Sequence, residues 1–236
     1  MTETRTGDPG RRRRAVVLAL AVVLQIVLLT IYYHPEPKGL AGDEVNYIES
    51  SAALQRGERL DEPLRAPLYP YFLAALGAGS EQRAPTQAVQ IALFLVAALC
   101  FGAIARQLFA SQSAADLTIG ALLLYPTFAA FAHFFWPEML HLALWGGALA
   151  ILVGQRRSPG WLATAGALLG LAVLTRHLLL PFLPIVFIAL ATEGRKARWR
   201  RLAWVAAPIV VLAGTALWLD WRDDGRLRST SNAGFN

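Results

Sequence analysis

Two adjacent carboxylates, Asp43 and Glu44, follow the first long apolar run of the chain and precede Arg65-Ala66-Pro67-Leu68-Tyr69-Pro70. A carboxylate at the boundary between lipid and water can take a proton from a hydroxyl while the other reactant keeps its tail in lipid. Glu138, directly after Pro137, places a third acid at the head of a later apolar run. Asp43, Glu44 and Glu138 are therefore the candidate catalytic acids. Arg176 and His177 interrupt the apolar stretch from Trp161 to Thr192. A guanidinium stays charged, so in apolar surroundings it needs water, an acid or a phosphate. Arg65 and Arg176, with Tyr69 and His177 beside them, form the candidate substrate-binding set, and the two arginines suit a clamp on a lipid-linked phosphate.

Each of these residues also has a structural explanation. Asp43 stands where a helix N-cap is expected, and a carboxylate there accepts orphan N–H groups. Glu138 is favoured by the dipole of the helix it opens. Arg176 can sit in water at a loop tip. His133 and His141 flank Glu138, but the spacing matches no metal-ligand motif, so no cofactor is expected and a divalent metal is not indicated. The single cysteine, Cys100, lies within an apolar block and can form no intrachain disulfide.

The elements that must hold these residues are apolar. Of the 236 residues, 56% are hydrophobic, in blocks near the length a bilayer demands. The net charge of +6 comes from basic residues at the ends of those blocks. With no basic-aromatic groove pattern, nucleic-acid binding is excluded. Residues 1–14 read as a cytoplasmic basic tail ending in Arg11-Arg12-Arg13-Arg14. Ala15 to Tyr33 is longer than a signal-peptide core and lacks an immediate cleavage site, so it reads as a retained span. In an external loop over 34–84, Asp43 to Arg56 carries Val45, Ile48 and Ala52 at helical spacing, an interfacial amphipathic helix. Pro67 to Ala78 is too short to span, and its Tyr69 and Tyr71 suit the headgroup zone.

Further spans are expected at Ala88 to Ala105, Ala115 to Phe134, Met139 to Gly154 and Leu202 to Leu219. Trp161 to Thr192 has basic residues on both flanks, so it must cross an even number of times and divides at Arg176. The expected fold is an all-α polytopic membrane protein of about seven transmembrane helices, its transmembrane module at 15–220 and an external tail at 221–236. The N-terminus is cytoplasmic and the active face lies outside a plasma (inner) membrane, periplasmic or extracellular.

An external Asp-Glu, then Arg65 to Ala75, then Trp136 to Leu140 and Gly170 to Arg176, in that order, resemble the GT-C membrane glycosyltransferases. The nearest branch holds the protein O-mannosyltransferases and aminoarabinose transferases. The resemblance implies an inverting transfer of a sugar from a polyprenyl-phosphate donor to a lipid, glycan or protein acceptor. It assigns Asp43 the catalytic acid position, Glu44 its neighbour, Arg65 a donor-phosphate contact and Glu138 a second acidic position. Arg176 matches the arginine of a Leu-Thr-Arg segment. Family members commonly continue into more spans and an external domain. The end, Arg228 to Asn236, resembles the start of such an external loop, so the chain reads as truncated after a seven-span module. The alternatives are a non-catalytic or fragmentary membrane subunit and a lipid-linked sugar transporter.

Overall fold

The computed structural model describes residues 9–32, 42–58, 60, 66–78, 83–154, 158–192 and 198–224. All regular structure among them is helical. Helix α1 (Pro9–Tyr32) is followed by two short helices, α2 (Glu44–Gln55) and α3 (Leu68–Ala75). Then come α4 (Arg83–Phe109), α5 (Gln112–Leu124), α6 (Pro126–Phe131), α7 (Glu138–Val153) and α8 (Pro159–Thr175). A 3-10 turn (His177–Phe182) leads into α9 (Leu183–Thr192), and α10 (Arg198–Asp224) completes the described chain.

Local chemistry sets the breaks. Ser111 caps α5, its hydroxyl accepting from the Ala114 N–H at 3.3 Å. Pro126 forces Tyr125 out of the helical region (φ −76°, ψ 113°), so α5 stops and α6 restarts with proline in its first turn. Arg176 is extended (φ −150°, ψ 117°) and divides the stretch from Trp161 to Thr192, as the charge pattern predicts.

Three apolar clusters hold the bundle together. One joins α1, α4, α5, α6 and α7 through Ala21, Phe94, Leu123 and Met139. A second joins α7 to α10 through Leu169, Leu179, Leu190 and Val205. The third packs α2 and α3 on the head of α7 through Tyr47, Tyr69, Leu73 and Phe135. In α8, Gly166 and Gly170 lie one turn apart against α10; a Cβ on Gly166 would overlap the Val205 backbone, and one on Gly170 would come within 3.3 Å of the Ile209 Cα. Small residues at this spacing let two helix backbones approach closely.

The expectation of about seven transmembrane helices does not hold. Among the described residues, two helices are long and apolar enough to cross a bilayer: Arg83–Phe109, 27 residues, and Arg198–Trp218, 21 residues. The other apolar helices, Gln112–Leu124, Glu138–Val153, Pro159–Thr175 and His177–Thr192, are shorter. Ala115 to Phe134 is broken at Pro126, and the stretches at Glu138–Val153 and on either side of Arg176 form helices of only 10 to 17 residues. The two long helices accord with a multi-pass integral membrane protein. Along α10, Trp199 and Trp218 are exposed near opposite ends, roughly 28 Å apart at helical rise. That is close to the thickness of a hydrocarbon core, with the aromatics at its two edges.

Candidate functional site

The candidate residues gather at the end of the bundle where α2 and α3 cover the starts of α4 and α7. Asp43 holds the N-cap position of α2 without a side-chain cap hydrogen bond, and it is exposed. Its neighbour Glu44 is buried, 1% exposed. The Glu44 Oε1 accepts from the Arg83 guanidinium at 2.5 Å and from the Phe135 N–H at 2.8 Å. The Arg83 guanidinium also lies over the Phe135 ring, 4.8 Å from its centroid. One turn of a helix thus turns one carboxylate inward and leaves the next at the surface.

The segment that donates to Glu44 is held by α4. Gln87 Nε2 donates to the His133 carbonyl at 3.0 Å, and Gln90 Nε2 donates to the Phe134 carbonyl at 2.7 Å. These two amides reach backbone acceptors in the non-helical turn between α6 and α7, and the Phe134 carbonyl also accepts from the Trp136 N–H at 2.9 Å. Gln90 Oε1 in turn accepts from the Tyr69 hydroxyl at 2.9 Å. The His133 ring meets Gln25 Oε1 of α1 at 2.9 Å, which gives the one glutamine of that apolar run a partner.

Glu138 opens α7 and pairs through Oε1 with the Arg176 guanidinium at the end of α8. Its second oxygen is buried with no hydrogen-bond partner among the described residues. Tyr69 feels both acids: burial pushes its phenol well above the ordinary tyrosine value, with Tyr47, Glu138 and Glu44 adding to the shift. It therefore stays a neutral donor to Gln90. Two acid–arginine pairs, one from α2 and α4 and one from α7 and α8, thus sit near the same buried tyrosine.

Several sequence-level expectations look different here. Tyr69, expected in the headgroup zone and in substrate binding, is fully buried under Tyr47 and Phe72, with ring centroids 5.0 and 5.8 Å away. Tyr71, on the opposite face of α3, is exposed. Arg65 lies outside the described residues. His177 is half-buried at the start of the 3-10 turn. The His141 ring faces the Ala172 carbonyl at 3.1 Å while the His133 ring faces α1, so the two histidines serve different contacts. Among the described residues no three His, Cys, Asp or Glu side chains converge.

Arg83, Gln87 and Gln90 were missed by sequence reasoning. Arg83 carried a usable signal: it is a basic residue at the end of an apolar helix that the charge rule assigns to the outside, so it needed an acidic partner. Gln90 lies inside the predicted span, where a buried amide must find hydrogen bonds.

Comparison with protein families finds a match to dolichyl-phosphate-mannose-protein mannosyltransferase over residues 61–221, more than half of the chain. The matched region contains Arg83, Glu138 and Arg176 and begins after Asp43 and Glu44. No curated protein matches, and no solved structure matches. The chain belongs to the dolichyl-phosphate-mannose-protein mannosyltransferase family.

Proposed function

We propose that the chain is a membrane glycosyltransferase that moves a sugar from a polyprenyl-phosphate donor to an acceptor hydroxyl at the outer face, with inversion. The observation that carries this reading is the division of labour between Asp43 and Glu44. Glu44 is held by Arg83 and the Phe135 N–H, and the exposed Asp43 directly precedes it at the N-cap of α2. A general base works only if its position is fixed relative to the proton it takes.

In this mechanism Asp43 accepts the acceptor hydroxyl proton. The oxygen attacks the anomeric carbon from the face opposite the phosphate. The bond from that carbon to the phosphate oxygen breaks, and the lipid phosphate leaves with the electron pair. Arg176 neutralises the departing charge: one of its five N–H donors is held by Glu138, so the guanidinium is aimed while others remain for a phosphate. Arg65 is assigned to the same phosphate. Glu138 thus orients Arg176, and Glu44 orients Asp43.

The test is transfer itself. Membranes containing the protein, given polyprenyl-phosphate-linked sugars, are expected to yield a glycosylated acceptor of opposite anomeric configuration. Arg176→Ala is expected to raise KM for the donor more than it lowers kcat. Passage of intact lipid-linked sugar across liposomes with no sugar transferred would overturn the proposal in favour of transport.

A further inference from the structure

At the other end of α4, roughly 39 Å from Arg83 at helical rise, the bundle carries a second feature that the transfer site does not use. A groove of about 890 Å³ runs between α1 and α5. Its walls are apolar, from Val16 and Val17 on α1 to Leu117, Ala121 and Leu124 on α5. At Gly120 on α5 the Val17 side chain of α1 lies 3.6 Å from the place a Cβ would take, so the two walls meet there. Leu117 is 75% exposed, so this apolar wall faces outward instead of inward.

The mouth of the groove is cationic. Arg14 is engaged, its Nε on the Asp116 carboxylate at 2.9 Å, and Gln112 donates to the same carboxylate oxygen at 2.9 Å. Arg12 and Arg13 also line the groove, and neither has a carboxylate partner among the described residues. The acid at this mouth is therefore already neutralised by Arg14, and two guanidinium groups remain. Guanidinium is a planar, multidentate donor suited to phosphate oxygens. A basic mouth over an apolar slot between helices is the chemistry that retains an anionic lipid headgroup together with its chains.

We propose that the α1–α5 groove is a binding site for an anionic phospholipid, its phosphate at Arg12 and Arg13 and its acyl chains along Val16, Leu117 and Leu124. Charge complementarity selects the headgroup, and the length of the apolar slot selects a lipid over a soluble phosphate. Such a lipid would fix the tilt of α1, which meets the transfer site at its far end through Gln25 and His133.

The full chain, purified in detergent, is mixed with equal amounts of palmitoyl-oleoyl phosphatidylglycerol and phosphatidylcholine, and retained lipid is counted by native mass spectrometry. Phosphatidylglycerol is expected to be retained at least tenfold over phosphatidylcholine. Arg12→Ala with Arg13→Ala should abolish that preference with thermal unfolding unchanged. Ala121→Trp, which fills the slot and leaves both arginines, should reduce retention of both lipids. Equal retention by the wild type, or a preference that survives loss of both arginines, would overturn the proposal. So would retention of inorganic phosphate as effective as that of the lipid. Cross-linking of Leu117→Cys between two copies, with no lipid bound, would overturn it by making the groove an interface.

Discussion

At the scale of the residue, the molecule turns on which of two neighbouring carboxylates is buried. Glu44 is almost fully buried and Arg83 is largely so, and each is the other's charge partner. Removing one side of such a pair leaves an uncompensated buried charge and costs about 3–5 kcal/mol, whereas replacing both with apolar groups can be neutral. Arg83→Met should therefore lower thermal stability sharply, and Glu44→Leu with Arg83→Met should recover most of the loss, measured by unfolding in detergent. If the single and double variants unfold alike, the pair does not hold this end together. Gln90→Leu should cost about 1–2 kcal/mol in the same measurement, because it removes the acceptor of the buried Tyr69 hydroxyl and one of the hydrogen bonds to the Phe134 carbonyl. Asp43, Glu44, Glu138 and Arg176 were all visible in the sequence as residue types at telling positions. Their pairing was not, since the partner of Glu44 lies 39 positions away and carried only a weak charge-rule signal.

At the scale of the element, hydrophobic runs and helices proved to be different things. The division at Arg176 was legible because both flanks of that stretch are basic. The stop at Tyr125 was not applied, although Pro126 is in plain view and constrains the residue before it. One expected span ran through the break at Pro126, and others were accepted at 10 to 17 residues, so two helices meet the requirement where seven spans were expected. The spacing of Gly166 and Gly170 was equally readable as a contact motif, and only the fold shows which helix uses it. Gly166→Val should push α8 off α10 and cost about 2 kcal/mol or more, since the Cβ would meet backbone and not a movable side chain. Gly160→Ala, where nothing lies near the added Cβ, is the control and should leave stability unchanged.

At the scale of the whole molecule, charge separates two ends. Arg12, Arg13 and Arg14 gather with the start of α5, while the acid–arginine pairs gather under α2 and α3. On the positive-inside rule we propose that the first end is cytoplasmic and the proposed transfer site external. With Cys100 replaced by Ala, Gly57→Cys should react with an impermeant maleimide in intact cells, and Ser111→Cys only after permeabilisation. The reverse pattern would put the proposed site on the wrong side of the membrane.

The central claim is that Asp43 takes the acceptor proton while Glu44 only holds it in place. The most direct measurement compares sugar transfer by wild type, Asp43→Asn and Glu44→Gln, at a temperature where each is shown to be folded, since Glu44→Gln leaves Arg83 without its charge partner and unfolds lower. A lost general base costs about 100- to 10,000-fold in rate. Asp43→Asn is therefore expected to lose at least 100-fold in kcat with donor KM little changed, and Glu44→Gln to lose much less. Transfer that persists at the wild-type rate in a folded Asp43→Asn protein would contradict the account.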